Sequence, residues 1–360
     1  MRIFIGRKPL VFAAILCAAF FCGCIGNAAS AQEYFSIGMA YFELGKYEEA
    51  EKWLNRAKAS DRTMTASQYN LGRLAFETKK YEEAAKHFEG ILKRDPDNVL
   101  ALKAAAYTRI KTGDLKTAEK HYNKLLALVP DSIDDGYNHA LVLYAMERYE
   151  DAEKVLENFP FAIQDNNDVL LLYARSQKAQ NKAEAMDNYA KWLDLNADSK
   201  VRYEYAQILE HHGMYARAIE EYRKILSDTA ATATAAASTS TTTTAAAAEP
   251  KRSDVRFSLA RVLLIADSDS REGITELETA VSEGFKDIDA VEELMKNSSI
   301  SSSNRDSLRG IVNNMQRTAE QAQREQAQRE QAQRDREQTE QALAEEQTDQ
   351  NLEVFSETNP

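Results

Sequence analysis

Apolar positions along this chain recur at i, i+3, i+4 and i+7, the spacing of short amphipathic helices. Inside every second helix a small residue returns, at Ala50, Ala84, Ala118, Ala152, Ala185, Ala218 and Gly273. The first three steps are 34 residues and the next two are 33. Four residues after each small residue comes a large one: Leu54, Phe88, Tyr122, Leu156, Tyr189, Tyr222 and Leu277. One turn separates the two, so they share a helix face. Three residues before most of them stands another bulky group, as at Tyr47, Tyr81, Leu115, Tyr149 and Tyr215. Upstream lies a turn, marked by glycine at Gly45, Gly113 and Gly213, and before it a second apolar-periodic stretch such as 37–41 or 71–75. Pro96 and Pro130 close two of the units. No single hairpin can bury its apolar stripe, but stacked hairpins make one continuous core. The spacing therefore predicts an all-α solenoid of about seven helical hairpins.

The units resemble the tetratricopeptide repeat, which carries Leu-Gly-x-x-Tyr in its first helix, then Ala-x-x-x-Phe and Pro in and after its second. The first helix matches best at Ile37-Gly38 with Tyr41, and in part at Leu71-Gly72. The second matches at Ala84, Phe88 and Pro96, and again at Ala118, Tyr122 and Pro130. Units four to seven depart from the pattern, with Ala140, Tyr173, Ala206 and Arg261 where the first-helix glycine would stand. The resemblance spans roughly residues 33–283 and implies a right-handed superhelical solenoid. It implies protein or peptide binding without naming a partner.

Both ends and one internal tract lie outside the repeat. Residues 1–31 hold Arg2, Arg7 and Lys8, no acid, and an apolar run over 10–25, the composition of an export signal. Two endings fit. Ala29-Ser30-Ala31 suits cleavage before Gln32, while Gly23-Cys24 resembles a lipoprotein signal whose cysteine is acylated. All three cysteines lie in this segment, so disulfides and cysteine nucleophiles are excluded from the remainder. Residues 32–228 carry hairpins one to six, and 229–250 form a linker. Thr229–Ala248 contains only Ala, Thr and Ser, has nothing bulky to bury, and reads as a mobile loop or linker, either a tolerated insertion in a surface loop or a joint that lets the seventh hairpin swing. Residues 251–316 hold that hairpin and two capping helices, at Asp287–Asn297 and at Ser303–Met315, the latter opened by Ser303-x-x-Asp306. In 317–360, Glu-Gln-Ala-Gln-Arg runs three times, placing each Glu four before an Arg. A five-residue step makes no apolar seam, so the tail reads as a solvated helix ending in a disordered acidic stretch, 345–360.

Charge and motif searches exclude several functions. The formal net charge is −12. A chain starting at Gln32 would carry −15, since residues 1–31 hold three of the 45 cations and none of the 57 acids. Such a balance repels nucleic acid. Beyond residue 31 no two glycines stand closer than Gly38 and Gly45, which removes the phosphate-loop, dinucleotide and Gly-x-Ser-x-Gly signatures. His87, His121, His139, His211 and His212 form no paired metal-ligand motif. We therefore expect no catalytic residue, no metal and no cofactor.

The surface with a claim to function is the concave wall, which in the family is lined by the first helix of each hairpin. Residues facing away from the second-helix stripe are Phe35, Met39 and Phe42, then Tyr69, Arg73 and Phe76, then Lys103, Tyr107 and Ile110, then Tyr137, Leu141 and Tyr144. The row fades to Leu170, Ala174 and Gln177, then Tyr203, Gln207 and Glu210. Aromatic residues lining a groove that the chain itself leaves open resemble a protein-binding site. The alternative is that several belong to the core. The Lys and Asn pair with which some tetratricopeptide domains clamp a partner's C-terminal carboxylate is missing. The sequence reads as an exported, non-catalytic interaction scaffold of a bacterial periplasm, soluble or lipid-anchored through Cys24. The alternatives are a lipid-anchored subunit of an outer-membrane or cell-wall assembly complex, and a structural spacer.

Overall fold

The computed structural model describes residues 30–236 and 249–357, with side chains described over 30–228 and 249–340. Residues 1–29, and with them Cys24 and most of the segment read as an export signal, lie outside the described residues. The described chain is all-α and forms consecutive packed helical hairpins. It divides into two compact units, 1–176 and 177–360.

The first unit contains α1 (Ala31–Glu43) with α2 (Tyr47–Ser60), α3 (Thr65–Glu77) with α4 (Tyr81–Leu92), α5 (Val99–Thr112) with α6 (Leu115–Leu128), and α7 (Ile133–Ala145) with α8 (Tyr149–Glu157). The recurring small residues Ala50, Ala84, Ala118 and Ala152 are fully buried, as are their large partners Leu54, Tyr122 and Leu156. The glycines of the first helices have a steric cause. A Cβ on Gly72 would sit 2.6 Å from the Phe88 ring, and one on Gly38 would sit 2.9 Å from Leu54. Only glycine lets these helices approach so closely. A short helix absent from the sequence reading, α9 (Pro160–Asp165), follows α8, and α10 (Asn167–Ala179) crosses the boundary between the units. Pro160 starts α9 where its missing N–H costs nothing. Phe159 packs where a side chain on Gly136 would otherwise be.

Every hairpin turn from one to six contains one left-handed residue. These are Gly45, Lys79, Gly113, Glu147, Asn181 and Gly213. Glycine marks only half of them in the sequence; Lys79 and Glu147 hold φ of 60° at a Cβ cost. Lys79→Gly and Glu147→Gly are each expected to raise stability by about 0.5–1 kcal/mol in chemical denaturation. A loss in both would mean that the long side chains make contacts worth more than the strain.

The second unit holds α11 (Ala185–Leu195), α12 (Ser199–His211) with α13 (Tyr215–Ala236), α14 (Arg252–Ala266) with α15 (Arg271–Ser282), then α16 (Ile288–Met295) and α17 (Ser302–Glu357). α13 continues eight residues into the Ala/Thr/Ser tract, to Ala236; 237–248 lie outside the described residues. Polar contacts join the seventh hairpin to the sixth. Arg261 Nε and Nη2 donate to Glu210 at 2.6 and 2.8 Å, and Tyr222 Oη donates to the same carboxylate at 3.1 Å. Arg252 reaches the Leu226 carbonyl at 2.9 Å. These bonds dock α14 on α12 and α13.

The two capping elements are present, but the second has a different extent. α17 runs unbroken for 56 residues, from the cap into the stretch expected to be disordered. Its start is capped by Ser301, not Ser303, and Asn304 is buried as it donates to the Ser268 and Ser270 carbonyls. Leu308, Val312 and Met315 join the core of the seventh hairpin and α16. No breaker follows, and i,i+4 bonds carry the helix onward, from Gln321 to Glu325, Gln326 to Glu330 and Gln331 to Asp335. Residues 316–340 are exposed throughout.

Candidate functional site

The helix-facing rule places the candidate wall. Gly38, Gly72, Ala106 and Ala140 turn inward toward Leu54, Phe88, Tyr122 and Leu156. The residues three before, four after and one after each small residue stand about 60°, 40° and 100° round the helix from it, so they flank the buried line on one side. Of the eighteen side chains read as facing the wall, Leu170, Ala174 and Gln177 are buried and the others are not. Arg73, Lys103, Tyr107 and Leu141 are exposed, Tyr107 at 42% and Leu141 at 36%. Phe35, Met39, Phe42, Tyr69, Phe76, Tyr137, Tyr144 and Tyr203 are half-buried. The choice between groove and core thus resolves to neither extreme: each ring lays one edge on the core and keeps the other in solvent.

That half-burial has a repeated cause. Phe42 lies 5.7 Å from Tyr47, Phe76 lies 5.2 Å from Tyr81, and Tyr144 lies 5.1 Å from Tyr149. Each pair spans one hairpin turn, so the wall ring braces the turn beneath it. Other contacts join neighbouring hairpins into one surface. Arg73 stands 5.0 Å over the Phe42 ring, Phe76 is 5.6 Å from Tyr107, and Lys103 Nζ is 3.0 Å from Asp135. Arg73 also donates to Asn70, and Lys111 lies over Tyr107. Tyr137 has its pKa raised, chiefly by burial and then by the Asp168 carboxylate.

Three features depart from the sequence reading. In the fifth hairpin Leu170, Ala174 and Gln177 are buried rather than facing the wall. The left-handed Asn181 keeps the 34-residue step from Glu147, so Ala174, not Tyr173, takes the small-residue position. The facing was off by one residue. Tyr203 belongs to the second unit, where its hydroxyl is 2.9 Å from Ser258 Oγ and its ring is 5.7 Å from Tyr222. Lys103 is not a free cation, because the buried Asp135 accepts from it and from Ser132. Asp135 stands 32 residues after Lys103, off the repeat period, so no pattern announced the pair.

The histidines behind the wall respond to pH. Burial is the largest cause lowering the pKa of His87, His121 and His139 below 6.5. His139 stacks on Tyr122, and neither ring nitrogen has a hydrogen-bond partner among the described residues. The folded state therefore favours the neutral ring. Its contribution is fully present above the unfolded value of 6.5 and is lost as pH falls through the folded value. We expect the denaturation midpoint to drop between pH 7 and pH 5, and His139→Leu to flatten part of that slope. An unchanged slope in the variant would place the effect elsewhere.

Among the described residues, no group of three or more His, Cys, Asp or Glu is placed to hold a metal, and no helix is long and apolar enough to cross a membrane. Comparison with known proteins follows from the geometry. Residues 31–63 and 75–138 each match a tetratricopeptide-repeat family model. No curated protein matches the chain. A tetratricopeptide-repeat protein from Parabacteroides merdae ATCC 43184 is 18% identical over 74% of this chain and 97% of its own, with a TM-score of 0.47. YrrB, described as a TPR protein with an unusual peptide-binding site, is 15% identical over 58% of this chain and 98% of its own, at 0.46. MamA is 17% identical over 50% and 98%, at 0.45. Likenesses this distant concern the fold only. Repeats of this kind suggest a protein–protein interaction scaffold. The chain thus carries tetratricopeptide repeats over residues 31–63 and 75–138, and similar helical hairpins recur beyond them.

Proposed function

We propose that this protein is a non-catalytic scaffold of the bacterial envelope that holds a segment of a partner protein against the wall of α1, α3, α5 and α7. The observation that carries the reading is the continuity of partly exposed aromatic side chains across four hairpins, linked through Arg73 to Phe42 and Phe76 to Tyr107. Rings already braced on one edge lose little freedom when a partner covers the other, which favours their use as anchors. The double variant Tyr107→Ala, Leu141→Ala removes the two most exposed apolar wall residues at least structural cost. It should cut crosslinked partner recovered from envelopes at least tenfold while helicity is kept; recovery at the wild-type level would end the proposal.

The composition of residues 1–31 supports export, and Gly23-Cys24 supports a lipid anchor. Cys24→Ser is expected to release the protein from the membrane pellet and abolish fatty-acid labelling. A mature N-terminus at Gln32 would instead establish a soluble periplasmic protein. The spacer reading gains support from α17, whose exposed helix continues well past the core formed by Leu308, Val312 and Met315.

A further inference from the structure

A second surface lies on the edge of the first unit where one hairpin passes to the next. Leu100, Leu128, Val129, Ile133 and Phe161 are all exposed there, Leu100 at 62% and Phe161 at 79%. The connections are neighbours in space. Arg94 Nη1 donates to the Arg62 carbonyl at 2.9 Å, and Lys124 Nζ is 2.9 Å from Asp97. Leu126, two residues before Leu128, shares a core cluster with Ala162 and Ile163, which follow Phe161. Phe161 sits on α9, an element outside the repeat pattern, so the periodicity gives no reason for an exposed ring there.

The short segments that carry these side chains are acidic, with Arg94 and Lys124 beside them. Residues 95–100, 128–134 and 160–168 contain six exposed aspartates and no Lys or Arg. Asp131, Asp134 and Asp165 carry no ion pair among the described residues. Acids near helix starts have an ordinary structural use against the helix dipole. That use explains the aspartates but not the leucine, isoleucine and phenylalanine between them. Exposed apolar side chains with unpaired aspartates close by in the sequence fit an occupant that is itself apolar and positively charged.

We infer that this edge docks a cationic amphipathic helix of a partner protein, its apolar face on Leu100, Ile133 and Phe161 and its Lys or Arg residues against Asp131, Asp134 and Asp165. The surface adjoins the aromatic wall, since Leu100 stands seven residues before Tyr107 on α5 and Ile133 four before Tyr137 on α7. An anionic membrane is disfavoured by the same carboxylates.

The test uses the full chain and a labelled 18-residue Leu/Lys helix-forming peptide, with a Leu/Glu peptide of equal apolar content beside it, read by fluorescence anisotropy. The Leu/Lys peptide should bind, more weakly as salt rises, and the Leu/Glu peptide should not. Asp131→Asn, Asp134→Asn, Asp165→Asn should weaken binding at least tenfold, and so should Leu100→Ser, Ile133→Ser, Phe161→Ser. Glu325→Gln, Glu330→Gln, Glu340→Gln changes net charge equally on the tail and should alter affinity less than twofold. Equal losses in the edge and tail charge variants would mean bulk attraction only, and overturn the site. Binding of the Leu/Glu peptide would overturn the charge assignment. Sedimentation showing a dimer lost in the edge variants would assign the surface to a second copy, and binding to phosphatidylglycerol vesicles would assign it to a membrane; either result overturns the inference.

Discussion

Truncating Phe88 to alanine is expected to remove about 3–5 kcal/mol of stability, among the largest losses available to a single change in the first unit. The ring is 2% exposed, fills the space that Gly72 leaves open, and lies 5.4 Å from Tyr69. Its loss opens a cavity between α3 and α4 and takes the support from under the wall. Tyr107→Ala, by contrast, removes a ring that is 42% exposed and should cost under about 1 kcal/mol. The pair of measurements, by chemical denaturation, separates core from wall. Equal costs would mean that Tyr107 is a core residue in all but exposure, and that the wall has no spare surface to offer.

Arg261→Met should cost about 2–3 kcal/mol, because it strands the Glu210 carboxylate that Arg261 now meets with two donors. Burial acts to lower the Arg261 pKa, yet the Glu210 contact outweighs it and raises it. Tyr222, fully buried, is left as the remaining donor to Glu210 among the contacts described. The loss should appear first as faster hydrogen exchange in α14 and α15, since this pair docks the seventh hairpin. Adding Glu210→Leu to Arg261→Met should recover most of the stability, as no buried charge then lacks a partner. A single variant as stable as the wild type would show that apolar packing alone holds the hairpin.

The small and large residues at 34-residue steps carried the fold because they report a constraint that every hairpin must meet, the close approach of two helices. Buried Ala84 and Phe88 meet it, and so do Ala118 and Tyr122. The turns were legible only where glycine stands, since Lys79 and Glu147 adopt the same left-handed backbone without any signal in residue type. The same gap misplaced the fifth hairpin, where Asn181 keeps the step and moves Ala174 into the small-residue position. Residues read as facing the wall are half-buried or exposed across the first four hairpins but buried in the fifth. The rings of Phe42, Phe76 and Tyr144 each find a tyrosine five residues on, a contact made by the turn and invisible to helical periodicity. Pairs off the period were out of reach altogether: Asp135 with Lys103, and Glu210 with Arg261 across the Ala/Thr/Ser tract. The length of α17 was underestimated because a polar helix held by i,i+4 bonds resembles a disordered tail in composition.

The central claim, that the aromatic wall holds a partner protein, is tested most directly by site-specific photo-crosslinking in intact cells of the native host. A benzophenone side chain would replace Tyr107 on the wall in one strain, and Lys120, an exposed residue of the second helix of the same hairpin, in another. The account predicts a discrete, stoichiometric protein adduct from position 107 and none from position 120. An adduct from position 120 alone, or no adduct from 107 in cells where the protein is folded and abundant, would contradict it.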